Sequence, residues 1–142
     1  MKSPIHYLLD TNVLSETRRK QADTHVIAFL NSVDPSSLYF SILTLGELRK
    51  GVAVKRQSDP ETAKQLASWV DGLELSFADR LLGIDAPTAR LWGELAAQRA
   101  RPVIDSLLAA TAAVHGLTFV TRNTRDVQDI KVELLNPWQR VP

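Results

Sequence analysis

Four acidic residues stand just past apolar segments, and their placement is the first sign of chemistry in this chain. Asp10 follows Ile5-His6-Tyr7-Leu8-Leu9. Glu47 lies one turn into the helical repeat after Leu38-Tyr39-Phe40-Ser41-Ile42. Asp105 comes close after Pro102, at the start of an Ala-rich stretch. Asp126 follows Leu117-Thr118-Phe119-Val120-Thr121 by the loop Arg122-Asn123-Thr124-Arg125. Carboxylates gathered in one place repel, and some take up protons unless a cation sits among them. The chain has no Cys, and His6, His25 and His115 are not placed near these acids. A ligand set built here is therefore all oxygen, which favours Mg²⁺ or Mn²⁺ over Zn²⁺. Such ions polarise a phosphodiester and lower the pKa of a bound water. Asn12, Ser41, Thr44 and Thr121 carry neutral groups able to orient the carboxylates.

Each acid also has a purely structural reading, and the residues alone leave both open. Asp10 can cap a helix over Asn12-Val13-Leu14. Thr44-Leu45-Gly46-Glu47 matches a capping box, in which Glu47 would be the N3 acid. Asp105 can cap a helix from Ser106 to Val114 or sit favourably at its dipole. Asp126 can pair with Arg122 or Arg125. Flanking Ile104 and Leu107 imply a protected place for Asp105, where an unpaired acid is costly. Asp10 and Asp105 thus lead, Glu47 follows with its rival role, and Asp126 ranks last.

The elements that must position these acids follow from periodicity. Ile5–Leu9, Leu38–Ile42, Leu117–Thr121 and Val132–Leu135 read as strands, and Leu81–Ile84 as a short one. Asp23 or Thr24 begins a helix with Val26, Ile27, Leu30 and Val33 on its apolar face. Asp59-Pro60-Glu61 starts another, through Leu66, Trp69 and Val70, that Gly72 can end. Asp85 caps a helix with Leu91, Trp92 and Leu95, and Pro102 precedes one that Gly116 closes. Strands alternating with helices indicate an α/β layer fold with a mostly parallel sheet. Such sheets bind ligands beyond the carboxyl ends of their strands, which is where the four acids fall.

Length and composition set the frame. The 142 residues fit one domain, 1–142, with 44% hydrophobic and 23% charged residues, as is ordinary for a soluble protein. The apolar runs are far shorter than the ~20 residues of a membrane span, and the N-terminus lacks a signal-peptide pattern; a cytoplasmic protein with no membrane partner is expected. The formal net charge of +1 excludes a uniformly basic nucleic-acid coat. Any such contact must come from local groups: Arg18-Arg19-Lys20, Lys55-Arg56, Arg99 with Arg101, or Arg122 with Arg125. Trp69 and Trp92 fall at core spacing. There is no Gly-rich phosphate loop and no G-x-S-x-G elbow.

Leu9-Asp10-Thr11-Asn12-Val13-Leu14, Gly46-Glu47-Leu48-Arg49-Lys50-Gly51, Asp105-Ser106-Leu107-Leu108-Ala109-Ala110-Thr111-Ala112 and Thr121-Arg122-Asn123-Thr124-Arg125-Asp126 together resemble the PIN-domain family. Their order and spacing resemble the VapC and FitB-like toxins of type II toxin–antitoxin pairs, over nearly the whole chain. The resemblance implies a three-layer α/β/α fold and metal-dependent endoribonuclease activity. It implies that the matching Asp10, Glu47, Asp105 and Asp126 are both the catalytic residues and the ligands of Mg²⁺ or Mn²⁺. It further implies a homodimer, a VapB/FitA-like antitoxin partner, RNA as substrate and DNA contact only through the antitoxin. Val127 departs from the Phe common after the last acid, which bears on how Asp126 is seated.

Two other readings compete. A haloacid-dehalogenase-type phosphatase also begins with an Asp after a strand, but its pattern requires a second Asp two residues on, where this chain has Asn12. A non-catalytic partner module of an antitoxin–DNA repressor complex would use the acids to hold a cation or a partner's Arg without turnover.

Overall fold

The computed structural model describes residues 4–139. Strands β1 (Tyr7–Leu9), β2 (Leu38–Ser41), β3 (Leu81–Leu82), β4 (Thr118–Val120) and β5 (Leu134–Leu135) pair in the order β3-β2-β1-β4-β5. Every pairing is parallel, so all carboxyl ends share one edge. The chain builds outward from β1 through β2 to β3, then returns to lay β4 on the other side of β1. That reversal makes a topological switch point between β1 and β4, where an open α/β sheet leaves a crevice.

Helices α1 (Thr11–Glu16), α2 (Thr24–Ser32), α3 (Ile42–Ser58), α4 (Pro60–Ser76), α5 (Ala86–Gln98), α6 (Val103–His115) and α7 (Thr124–Val127) surround the sheet. Side chains alternate along each strand, and the alternation separates two cores. Leu8 and Phe119 pack with Leu95 of α5 and Leu108, Ala109 and Ala112 of α6. Leu9, Phe40 and Val120 face the other way, against Val26 of α2, Leu48 and Val52 of α3 and Val70 of α4. Phe40 and Phe119 are fully enclosed, and truncating such rings costs about 3–5 kcal/mol. Small residues dominate the buried face of α6, where Ala109, Ala110 and Ala112 are sealed from solvent and let the helix lie close on the strands.

Most helix starts are those the sequence signals. The side chains of Asp23, Asp59 and Asp85 accept the backbone N–H groups of His25 and Val26, of Thr62, and of Thr88. Gly116 ends α6 with φ 68°, a left-handed conformation that favours Gly. Three expectations need correction. Helix α3 starts directly after β2 with Ser41 as its cap, whose Oγ accepts from the N–H of Leu43 at 3.0 Å. Thr44 is therefore inside the helix, and Glu47 is not the acid of a capping box. Helix α4 runs through Gly72 to Ser76, because the burial of its apolar face outweighs the roughly 1 kcal/mol that an interior Gly costs. The segment before Asp126 is not wholly loop, since Thr124–Val127 forms a helical turn.

The cap makes a direct prediction. Ser41→Ala should lower the free energy of unfolding by about 1 kcal/mol in urea titration. No loss would return the helix start to Thr44.

Candidate functional site

Asp10 is the first residue past β1, at the switch point. Its N–H donates to the carbonyl of Val120 at 2.9 Å, which extends the β1–β4 pairing by one step. That step carries its side chain into the sheet edge, where the residue is only 4% exposed. Thr121, the first residue past β4, donates from Oγ1 to Asp10 Oδ2 at 2.7 Å. The N–H of Thr11 donates to Oδ1 at 2.7 Å, which makes Asp10 the cap of α1. The capping and functional readings thus use different aspects of one carboxylate. Thr121 is itself oriented, because its Oγ1 accepts from the N–H of Asn123 at 3.1 Å.

Glu47 projects from the second turn of α3. Thr11 Oγ1 donates to its Oε1 at 2.5 Å and lies 3.1 Å from Thr44 Oγ1. A hydroxyl has one proton, so with that proton on Glu47 the hydroxyl of Thr44 is the donor to Thr11. Thr11 is the joint of the site: its N–H holds Asp10 and its hydroxyl holds Glu47. Asp105 stands in the first turn of α6 and is not its cap; Pro102 is, with no side-chain cap bond. The positive end of the α6 dipole favours a negative charge there.

These residues meet around a cavity of about 400 Å³, lined by Asp10, Thr11, Asn12, Ser15, Glu47, Asp105 and Asn123. The structure brings three of the four predicted acids to one wall. Asp126 does not line it; it sits on α7, exposed to solvent, though near enough for its charge to be felt at Asp105. Among the described residues, no three acid or His side chains are drawn together as a ready-made metal cage. Glu47 is held towards Thr11 instead.

The electrostatics are those of a site short of positive charge. Burial pushes the Asp10 carboxyl up to about 6; the hydrogen bond from Thr121 opposes this, and the charges of Asp105 and Glu47 add to it. Asp105 is also raised, by burial first and then by Asp126 and Glu47, with Asn123 partly offsetting them. Among the described residues the cavity wall contains no Lys, Arg or His. Asn12 Oδ1 is buried there with no hydrogen-bond partner among the described residues. An acceptor without a donor, beside acids without a cation, fits a hard divalent ion. A second cavity of about 440 Å³, lined in part by Gly116, Leu117, Ile130 and Glu133, gathers no such set.

Sequence reasoning missed Thr11, Ser15 and Asn123 as parts of the wall, although Thr11 and Asn123 lie within the quoted motifs and Ser15 adjoins one. Of the histidines, His115 pairs with Asp85 at 3.0 Å and His6 lies 3.3 Å from the Tyr39 hydroxyl. Neither lines the acid cavity. Trp92 donates to Ser106 at 3.0 Å, tying α5 to α6.

Comparison with known proteins agrees with this fold. The PIN domain profile matches residues 7–132. The toxin FitB of Neisseria gonorrhoeae is 35% identical over 136 residues, covering 92% of this chain and 97% of that protein. The VapC ribonuclease Y4jK of Sinorhizobium fredii is 33% identical over 138 residues, covering 93% and 97%. Among solved structures, FitAB bound to an IR36 DNA fragment includes a chain that superimposes with a TM-score of 0.86 at 31% identity, over 96% of this chain and 98% of that one.

The raised carboxyl of Asp10 gives a stability prediction with a definite sign. A folded-state pKa of about 6 against an ordinary 3.8 means the native state holds the extra proton between those values. Stability is then greatest below that window and falls as pH rises through about 6. The full shift corresponds to at most about 3 kcal/mol. In EDTA, the chain should melt higher at pH 5 than at pH 7. Asp10→Asn should raise the melting temperature at pH 7 by several degrees and flatten that slope. Equal melting of the two proteins at pH 7 would show that Asp10 carries no such strain.

Proposed function

The chain belongs to the PIN-domain family, and from that premise we propose that it is the toxin of a type II toxin–antitoxin pair, acting as a metal-dependent endoribonuclease. One observation carries the reading: Asp10, Glu47 and Asp105 line a single cavity at the switch point of a parallel sheet, with no cationic side chain among the described residues of its wall. The site residues are Asp10, Glu47 and Asp105 as ligands of Mg²⁺ or Mn²⁺, with Asp126, outside the cavity wall, as the fourth acid. When bound, such an ion polarises a phosphodiester and offsets the charge that builds on its oxygens during hydrolysis.

The chain's own groups do the rest. Thr121 and the Thr11 N–H hold the two Asp10 oxygens in fixed directions, and the Thr11 hydroxyl fixes Glu47. The α6 N-terminus favours the charge on Asp105. Phosphate contacts are sequence-independent and come from basic side chains. Arg122 is the best placed: it is exposed, stacked 5.0 Å from the Trp138 ring, and adjacent in sequence to Asn123 of the cavity wall. Stacking leaves the edge of a guanidinium free for a phosphate.

The relatives supply the setting. One is a toxin, one a ribonuclease, and the superimposed structure is a FitAB complex on DNA. On that basis the chain is a single nuclease domain, 1–142, working in the cytoplasm. It forms a homodimer, is neutralised by a VapB/FitA-like antitoxin and meets DNA only through that partner. Among the described residues no helix is long and apolar enough to cross a membrane. The alternative, a non-catalytic partner module, draws on the acids not being closed into a cage.

Cleavage of single-stranded RNA by the partner-free protein in Mn²⁺ decides between them. Asp10→Asn and Asp105→Asn should each lower kcat by at least about a hundredfold, the loss of one strong electrostatic contact to the transition state. Asp126→Asn should cost less than either. Cleavage that survives both Asp10→Asn and Asp105→Asn would reject the nuclease assignment, and absence of cleavage by the wild type would favour the partner module.

A further inference from the structure

One carboxylate outside the cavity is held more tightly than any inside it. Asp129, in the turn after α7, receives Arg99 Nε at 3.1 Å and Nη2 at 3.0 Å. It also receives Arg101 Nη1 at 3.0 Å and Nη2 at 3.1 Å. Both guanidiniums are bidentate, the strongest arrangement such pairs adopt. The Arg101 side chain is 2% exposed and also donates to the Leu95 carbonyl and to Gln98, so it is anchored on the last turns of α5. Arg99 adds a bond of another kind, from Nη2 to the main-chain carbonyl of Asp126 at 3.1 Å.

The two segments joined this way carry the last two of the four candidate acids, Asp105 and Asp126. Residues 99–102 lead directly into α6, where Asp105 lies in the first turn with no side-chain cap above it. Helix α7 carries Asp126 and runs into Asp129. Val127 of α7 shares a buried cluster with Leu108 and Ala109 of α6, which seats the two helices together, and a polar tie fixes the spacing of the like-charged Asp105 and Asp126. The arginines supply it from the same two segments. Their donors are committed to Asp129, Asp126 and α5, which leaves them ill-suited to the phosphate role that their sequence clustering suggests.

We infer that the Arg99–Asp129–Arg101 clamp is the positioning device that sets the spacing of Asp105 and Asp126, and through it the divalent-ion affinity of the site. This rests on reading the acids as a metal site. None of the three clamp residues lines the acid cavity; they act through the backbone that carries the acids.

The test is calorimetric titration of the full chain with Mn²⁺, alongside urea unfolding and RNA cleavage. Arg99→Gln removes the half-exposed arginine and leaves the pair between Asp129 and the enclosed Arg101 in place. Asp129→Asn releases both arginines. Each should weaken Mn²⁺ binding about tenfold or more, the range for partners that orient metal ligands, and lower kcat with KM for RNA little changed. Gly116→Ala, strained by the φ of 68° at the far end of α6, serves as a destabilised control with wild-type affinity. If Asp129→Asn does not fold, Arg99→Gln alone carries the test. Wild-type Mn²⁺ affinity in the clamp variants, or an equal loss in Gly116→Ala, overturns the inference. Binding lost in Asp10→Asn but kept in the clamp variants leaves the metal site standing and rejects only the clamp. A wild type that binds no Mn²⁺ rejects both.

Discussion

The hydrogen bond between Asp10 and Thr121 joins residues 111 positions apart, and the site is arranged around it. It exists because β1 and β4 are parallel neighbours and both chains leave the sheet at the same edge. A buried carboxylate needs partners, and at this edge two are supplied by strand-end geometry: the hydroxyl of Thr121 and the first N–H of α1. Both favour the charged form, yet burial prevails and the carboxyl remains raised. The fold therefore maintains an acid under electrostatic strain that the chain itself does not relieve. Such strain at a sheet's switch point is how a protein prepares a place for a cation.

The remaining acids are placed around that point by short-range rules. Glu47 comes from a helix that starts without a connecting loop after β2, so that Ser41 ends the strand and caps the helix in one residue. Asp105 depends on the turn between α5 and α6, which has no side-chain cap and which Arg99 and Arg101 tie to Asp129 and to the end of α5. Individual arginines accordingly differ in role. Arg49, paired with Asp71 and Glu74, and Arg80, bonded to three main-chain carbonyls, serve the fold together with Arg99 and Arg101. Arg122 stays exposed beside the cavity segment, so a chain with a net charge of only +1 can still present positive charge where a polyanion would lie.

Much of this could be read from the chain. Apolar runs ending in Asp10 or Thr121 mark strand ends, and a parallel sheet aligns them; the α/β class, the order of elements and the leading acids follow. What could not be read depended on competition between equally good local signals. Thr44-Leu45-Gly46-Glu47 is a sound capping box, but Ser41 lies nearer the strand and takes the role. Gly72 looks like a helix end until the buried face of α4 continues past it. Asp129 resembles any surface acid in a polar turn, because nothing local announces that two arginines about thirty residues earlier fold onto it. Thr11 was visible beside Asp10, but its link to Glu47 exists only once α1 and α3 are packed.

The central claim is that one cation resolves the repulsion among Asp10, Glu47 and Asp105. Anomalous diffraction from crystals of the chain soaked in Mn²⁺ addresses it directly. The predicted result is a peak in the acid cavity within roughly 2.5 Å of oxygens of Asp10 and Asp105, at oxygen-ligand distance, with Glu47 turned towards it. A map with no peak in that cavity, or with manganese bound only elsewhere, would contradict it.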